Sequence, residues 1–125
     1  MDKDLIIGVV GPCAAGKTTL IAGLRSAGYS GKHIAQEHSY VQDMWLRLTD
    51  PDVLIYLDVS YEITLIRRKL NWTEKEYLKQ VDRIRHARTH ADLYIDTDSL
   101  SIDQVLADAL SYLRNNAAKN LTHIR

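Results

Sequence analysis

"GPCAAGKT", Gly11 to Thr18, places two glycines, a lysine and a threonine in the spacing GxxxxGK[ST], directly after an apolar run and before a helical pattern. Between the glycines stand Pro12, Cys13, Ala14 and Ala15, none of them bulky. A loop of this kind can turn main-chain N–H groups inward, and a ring of such donors suits a polyphosphate. Gly11 and Gly16 permit the turn and the close approach, and the positive end of the following helix adds to the field. On this reading Lys17 reaches the β and γ phosphates as a mobile point charge, the Thr18 hydroxyl ligates Mg²⁺, and Thr19 meets the α phosphate. Cys13 fills a variable loop position, where its oxidation would block nucleotide binding.

A metal beside transferred phosphates also needs an acid at the end of a neighbouring strand. Glu37 ends "HIAQE" and Asp58 ends "VLIYLD", so two positions compete; Asp58 also suits a turn or a cap. His33, Glu37 and His38 raise the question of a transition metal, but "HIAQEH" is not HExxH and misses HxxEH by one residue. Placed on a strand, neighbours would also point to opposite faces. No dedicated transition-metal site is expected there, and His38 is assigned to a substrate contact or to capping the next helix. His86 and His90 share a helix face and are expected to meet solvent.

These groups need a scaffold. "LIIGVV" (Leu5 to Val10), "VLIYLDV" (Val53 to Val59) and "LYID" (Leu93 to Asp96) are apolar without polar alternation, as in strands of a parallel sheet covered on both faces. "HIAQE" is the candidate fourth strand. Leu20, Ile21 and Leu24 give the first helix an apolar face, and Gly28 ends it. Val41, Met44, Trp45 and Leu48 form a helical stripe, and Ile63, Ile66 and Leu70 form another. Thr73 opens a further helix through the capping box "TEKE", with Trp72 and Tyr77 as its hydrophobic staple. Ser101 does the same for the last helix, whose Ile102, Val105, Leu106, Ala109, Leu110 and Leu113 should face the sheet. The order β-α-β-α-β-α-α-β-α predicts an α/β fold of three layers, α/β/α, around a reduced, about four-stranded and mainly parallel sheet. Ligands then bind at the carboxyl ends of the strands, where the glycine loop lies. One domain over residues 1–113 is expected, including helices over 62–90, followed by a polar tail at 114–125.

With these motifs the chain resembles the P-loop kinases of the nucleoside and nucleotide kinase-like superfamily, alongside dephospho-coenzyme A, cytidylate, thymidylate and shikimate kinases. "DPDVLIYLDVSYEITLIRRK" is similar to the strand and helix before the lid of thymidylate kinase-like enzymes. "ADLYIDTDSLSIDQVLADAL" resembles the final strand and helix of cytidylate and dephospho-coenzyme A kinases. The resemblance covers about two thirds of the chain and implies ATP or another nucleoside triphosphate, with Mg²⁺. It also implies a lid in the stretch Glu62 to His90, which holds eight of the sixteen lysines and arginines against four acids. Arg83 and Arg88 are the lid arginines it points to for the transferred phosphoryl group, with Arg67 or Arg68 flanking adenine. Asp96, Thr97 and Asp98 fall where the family's last strand-to-helix loop lines the adenine pocket. Glu37 is favoured as the metal acid because the related kinases set the "VLIYLD" strand one strand away from the phosphate loop. Where these kinases insert an acceptor-binding segment, only about ten residues separate Leu24 from "HIAQE"; one strand-helix unit is missing, and "QEHSYVQDMW" stands in its place.

Two functions remain in view: a minimal Mg-dependent kinase with a small-molecule acceptor, and a nucleotide-binding module that hydrolyses slowly and acts through a partner or a homodimer. Sixteen basic residues balance sixteen acidic ones, and no known nucleic-acid-binding motif accompanies the basic helices, so nucleic acid is not an expected partner. The 125 residues suit one core, and the single cysteine fits a reducing compartment. The six apolar residues after "DKD" are too few for a leader or a membrane span, so no membrane partner and a cytoplasmic location are expected.

Overall fold

Runs that are apolar at every position can satisfy both faces only if both are covered, and the chain folds accordingly. A computed structural model describes residues 5–68 and 71–116. Four parallel strands, β1 (Ile6–Val10), β2 (Ser30–His33), β3 (Val53–Asp58) and β4 (Leu93–Asp96), form one sheet in the order β2-β1-β3-β4. Ile7 of β1 pairs with Gly31 and with Val53, and Ile55 of β3 with Leu93. The helices are α1 (Lys17–Ser26), α2 (Met44–Leu48), α3 (Tyr61–Arg67), α4 (Glu74–Arg83), α5 (Arg85–His90) and α6 (Ile102–Asn115).

Alternation along the strands splits the core in two. Ile7, Val9, Val53, Ile55 and Leu57 pack with Leu20, Ile21 and Leu24 of α1 and with Val105, Ala109 and Leu113 of α6. Val10, Leu54 and Tyr56 face the other way, against Ile34, Trp45 of α2, Ile84 and Ala87 of α5. The fold is therefore α/β, with an all-parallel four-stranded sheet and helices on both faces, an arrangement compatible with three layers.

Several expectations change. "HIAQE" is not a strand: β2 ends at His33, and Gln36–His38 forms a single 3₁₀ turn. Strand β3 pairs directly with β1 and does not lie one strand away. The stripe from Val41 to Leu48 buries only Trp45 fully, leaving Val41 and Leu48 exposed, and α2 is five residues long. Ile66 and Ile102 are exposed as well. Helix α5 is not part of a free lid, because its Ala87 and the Ile84 just before it are fully buried in the second core. So short an α2 cannot cover that face alone, and α5 completes it. Leu70, Lys69, residues 1–4 and the tail from 117 lie outside the described residues, and α6 runs two residues past the expected domain end at 113.

The capping signals hold. Thr73 and Glu76 make a reciprocal capping box, as do Ser101 and Gln104. The staple is present too, with Trp72 and Tyr77 edge-to-face at 6.0 Å. Gly28 N–H bonds Arg25 O and Tyr29 N–H bonds Leu24 O, closing α1 in a Schellman pattern. Among the described residues no helix is long and apolar enough to cross a membrane.

Candidate functional site

From β1 the chain crosses to β2 on one side, and it returns past β1 to β3 on the other. The carboxyl ends of β1 and β3 thus form the switch point where open α/β sheets take ligands, and the glycine loop begins there. A Cβ on Gly11 would lie 2.3 Å from Leu57 O, so only glycine lets the loop leave so close to β3. Gly16, the N-cap of α1, sits at φ 101°, in the left-handed region. Ala14 sits there without being glycine, at φ 69°. A left-handed alanine costs about 1–2 kcal/mol, and strain of this kind concentrates at binding loops.

Lys17 is the first residue of α1 and is only 6% exposed. Its Nζ donates to Gly11 O at 2.6 Å and Pro12 O at 3.1 Å, and lies 2.9 Å from Glu37 Oε2. The ammonium is thus folded into the mouth of its own loop, held by two carbonyls and a carboxylate. Glu37 Oε1 is buried with no hydrogen-bond partner in the structure. The α1 N-terminus has no side-chain cap, so the amides of Lys17, Thr18 and Thr19 lack an intrahelical acceptor. Loop, helix terminus and acid open on one cavity of about 700 Å³.

Expected site residues divide. Cys13, Ala14, Ala15, Gly16, Lys17, Thr18, Thr19, Glu37, Arg67, Arg68 and Thr97 all line this cavity, with Leu100, Ile102 and Val105 making an apolar wall. Arg67 donates to Ala14 O at 3.3 Å, to Thr97 Oγ1 at 2.9 Å and to Thr97 O, so it ties the loop to the end of β4. Arg83 donates to Glu37 O at 3.3 Å and stacks 4.6 Å over the exposed Tyr40 ring, touching the backbone behind the acid. Arg88 is placed elsewhere, 4.0 Å from Asp58 Oδ2 and over the rings of Tyr56 and Tyr94. Asp58 accepts from Tyr94 Oη and from its neighbour Val59 N–H, so it is turned toward β4, and it is not among the residues that line the cavity. His38 does not cap α2, whose N-cap is Asp43. His86, expected to face solvent, is half-buried and accepts at Nδ1 from Trp45 Nε1 at 3.0 Å.

No family model matches this chain, and no curated protein does.

Two glutamines complete the site without any motif to announce them. Gln80 is buried; its Oε1 accepts from Cys13 N–H at 3.0 Å, and its Nε2 donates to Cys13 Sγ at 3.1 Å. Gln36 accepts from Trp45 N–H at 2.8 Å and donates to Val41 O and Arg83 O, which joins the 3₁₀ turn to α2 and α4. The available signal for Gln80 is positional: with Tyr77, Ile84 and Ala87 it occupies one helical face, where it is the polar interruption.

Magnesium fits this donor set. A buried carboxylate oxygen lacking a donor and a threonine hydroxyl on the same cavity wall are the oxygen ligands such an ion takes from protein beside phosphates.

Proposed function

We propose that the chain is a P-loop protein of the nucleotide kinase-like kind, which binds ATP or another nucleoside triphosphate with Mg²⁺ and transfers the terminal phosphoryl group to a small acceptor. One observation carries the reading: a GxxxxGK[ST] loop at the sheet's switch point folds its lysine inward beside a buried glutamate, at the head of a cavity of about 700 Å³. That volume accommodates a mononucleotide.

Lys17 is already desolvated and pre-positioned, so binding requires it to exchange carbonyl and carboxylate contacts for phosphate oxygens. The α1 terminus offers its free amides to the same anion. Arg67 and Arg68 flank the far wall, where Leu100, Ile102 and Val105 suit the flat apolar face of a base. Thr18 and Glu37 hold the ion, which supplies charge neutralisation on the phosphate oxygens. Glu37, released from Lys17, orients the acceptor hydroxyl or a water, and Arg83 steadies its main chain.

A second reading has its own support. Because α5 and the Ile84 before it are built into the second core, no separate lid stands ready among the described residues to close over the phosphates and exclude water. That favours a nucleotide-binding module or slow ATPase acting through a partner or a second copy.

Thermal unfolding with and without Mg·ATP tests the shared claim. At a hundredfold excess over Kd the wild-type chain gains about 2.7 kcal/mol, and Lys17→Ala loses the gain. Equal stabilisation of both, or of neither, defeats the assignment. An ATP-consumption screen over nucleosides, nucleotides and small hydroxyl compounds, with a water-only control, separates kinase from module.

A further inference from the structure

The 3₁₀ turn at Gln36–His38 has a second consequence for the loop. On a strand, Glu37 and His38 would point to opposite faces; on this turn His38 Nε2 lies 3.8 Å from Glu37 Oε2. Both face Cys13, and one donor atom from each of Cys13, Glu37 and His38 lies within 4.8 Å of the others. The geometry points to a binding site for a thiophilic divalent ion of the zinc class, held by the Cys13 thiolate, a Glu37 carboxylate oxygen and the His38 imidazole.

Several features support this beyond proximity. Glu37 is 3% exposed and its Oε1 has no donor, which is costly for a buried acceptor unless a cation satisfies it. Gln80 grips both the amide and the sulfur of Cys13, so the thiol is fixed in place as a metal ligand must be. His38 is exposed, which gives the ion an entry path and the ring freedom to move. Ligand atoms on a tetrahedral zinc are about 3.5 Å apart, given Zn–S near 2.3 Å and Zn–N near 2.0 Å, so rotation of the free imidazole closes the set. As the metal–sulfur bond forms, the Cys13 thiol releases its proton to solvent, and no electron is transferred. The fourth position remains for water.

Sulfur and imidazole select such an ion over magnesium, which takes oxygen donors. The site stands whether or not the cavity takes a nucleotide. If it does, the two ions share Glu37, and zinc opposes nucleotide binding.

Co²⁺ is the spectroscopic probe. Titrated into the full chain without nucleotide, it is expected to give a thiolate-to-cobalt charge-transfer band saturating at one equivalent, which excess Zn²⁺ erases. Cys13 is the chain's single cysteine, so the band reports this site alone. Cys13→Ser should abolish the band, and Cys13→Ala, which matches its neighbours Ala14 and Ala15, should do the same with the fold checked by circular dichroism. His38→Ala should weaken Co²⁺ affinity at least tenfold. No band in the wild-type chain, or unchanged affinity in His38→Ala, overturns the proposal. Loss of Mg·ATP stabilisation would leave the band untouched, so the two readings fail separately.

Discussion

Asp58, Tyr94, Arg88 and Tyr56 form a cluster at the β3–β4 border, with the two tyrosine rings stacked at 5.7 Å and Arg88 above them. The carboxylate at the end of the strand beside the glycine loop thus has its oxygens committed to Tyr94, Val59 and Arg88. Burial, then the hydrogen bond to Asp58, push the Tyr94 phenol up to about 12. Tyr77 is pushed up to about 12 as well, by burial first and then by the Asp58 charge. Unfolded, both ionise near pH 10, so the folded state holds their protons more tightly. Their contribution is complete below pH 10 and fades as pH rises toward 12. Denaturant unfolding across that window should show stability falling in the wild-type chain and falling less steeply in Tyr94→Phe; identical slopes would remove Tyr94 from the cause. In the sequence, Asp58 was legible as an acid at a strand end, but its bond to Tyr94 was not, because Tyr94 lies 36 positions away. Gln80, 67 positions from Cys13, was hidden for the same reason. Lys17 was legible because its motif is local.

Among the elements, those with local determinants were readable and those set by tertiary demand were not. Thr73 and Ser101 announce their helices within four residues, and the structure has both capping boxes. "HIAQE" offers five residues, too few to separate a strand from a turn, and Gln36 decides the matter by bonding Trp45 N–H and Arg83 O. The role of α4 and α5 could not be read from their charge, since eight basic residues between Glu62 and His90 hide one thin apolar face. That face is now testable. Ile84→Ala opens a cavity in the second core and should cost about 2–4 kcal/mol in urea unfolding. Ile66→Ala, at a side chain 70% exposed, should change stability by less than about 0.5 kcal/mol. If the two costs are alike, α5 is not a structural layer and the freely closing lid returns.

At the scale of the molecule, the order β2-β1-β3-β4 brings the start of the chain against its last third, so the cavity has walls from the loop after β1, from α3 and from the β4–α6 connection. The parallel sheet and its two-sided cover were legible from unbroken apolar runs, whereas the direct β1–β3 pairing was not, since strand order depends on how crossovers pack. Arg67 is the strut across this arrangement, with three hydrogen bonds joining Ala14 to Thr97. Removing it should act twice. Arg67→Ala should lower the stability of the ligand-free chain by about 1–2 kcal/mol, the net worth of hydrogen bonds to a charged group. If the cavity takes a nucleotide, the same variant should also bind Mg·ATP about tenfold more weakly, because the bound state must then hold loop and far wall together without the strut. Calorimetric titration of the variant beside its urea unfolding separates the two losses. Unchanged affinity with reduced stability would make Arg67 a brace for the fold alone, and unchanged values of both would mean that loop and far wall hold their places without it.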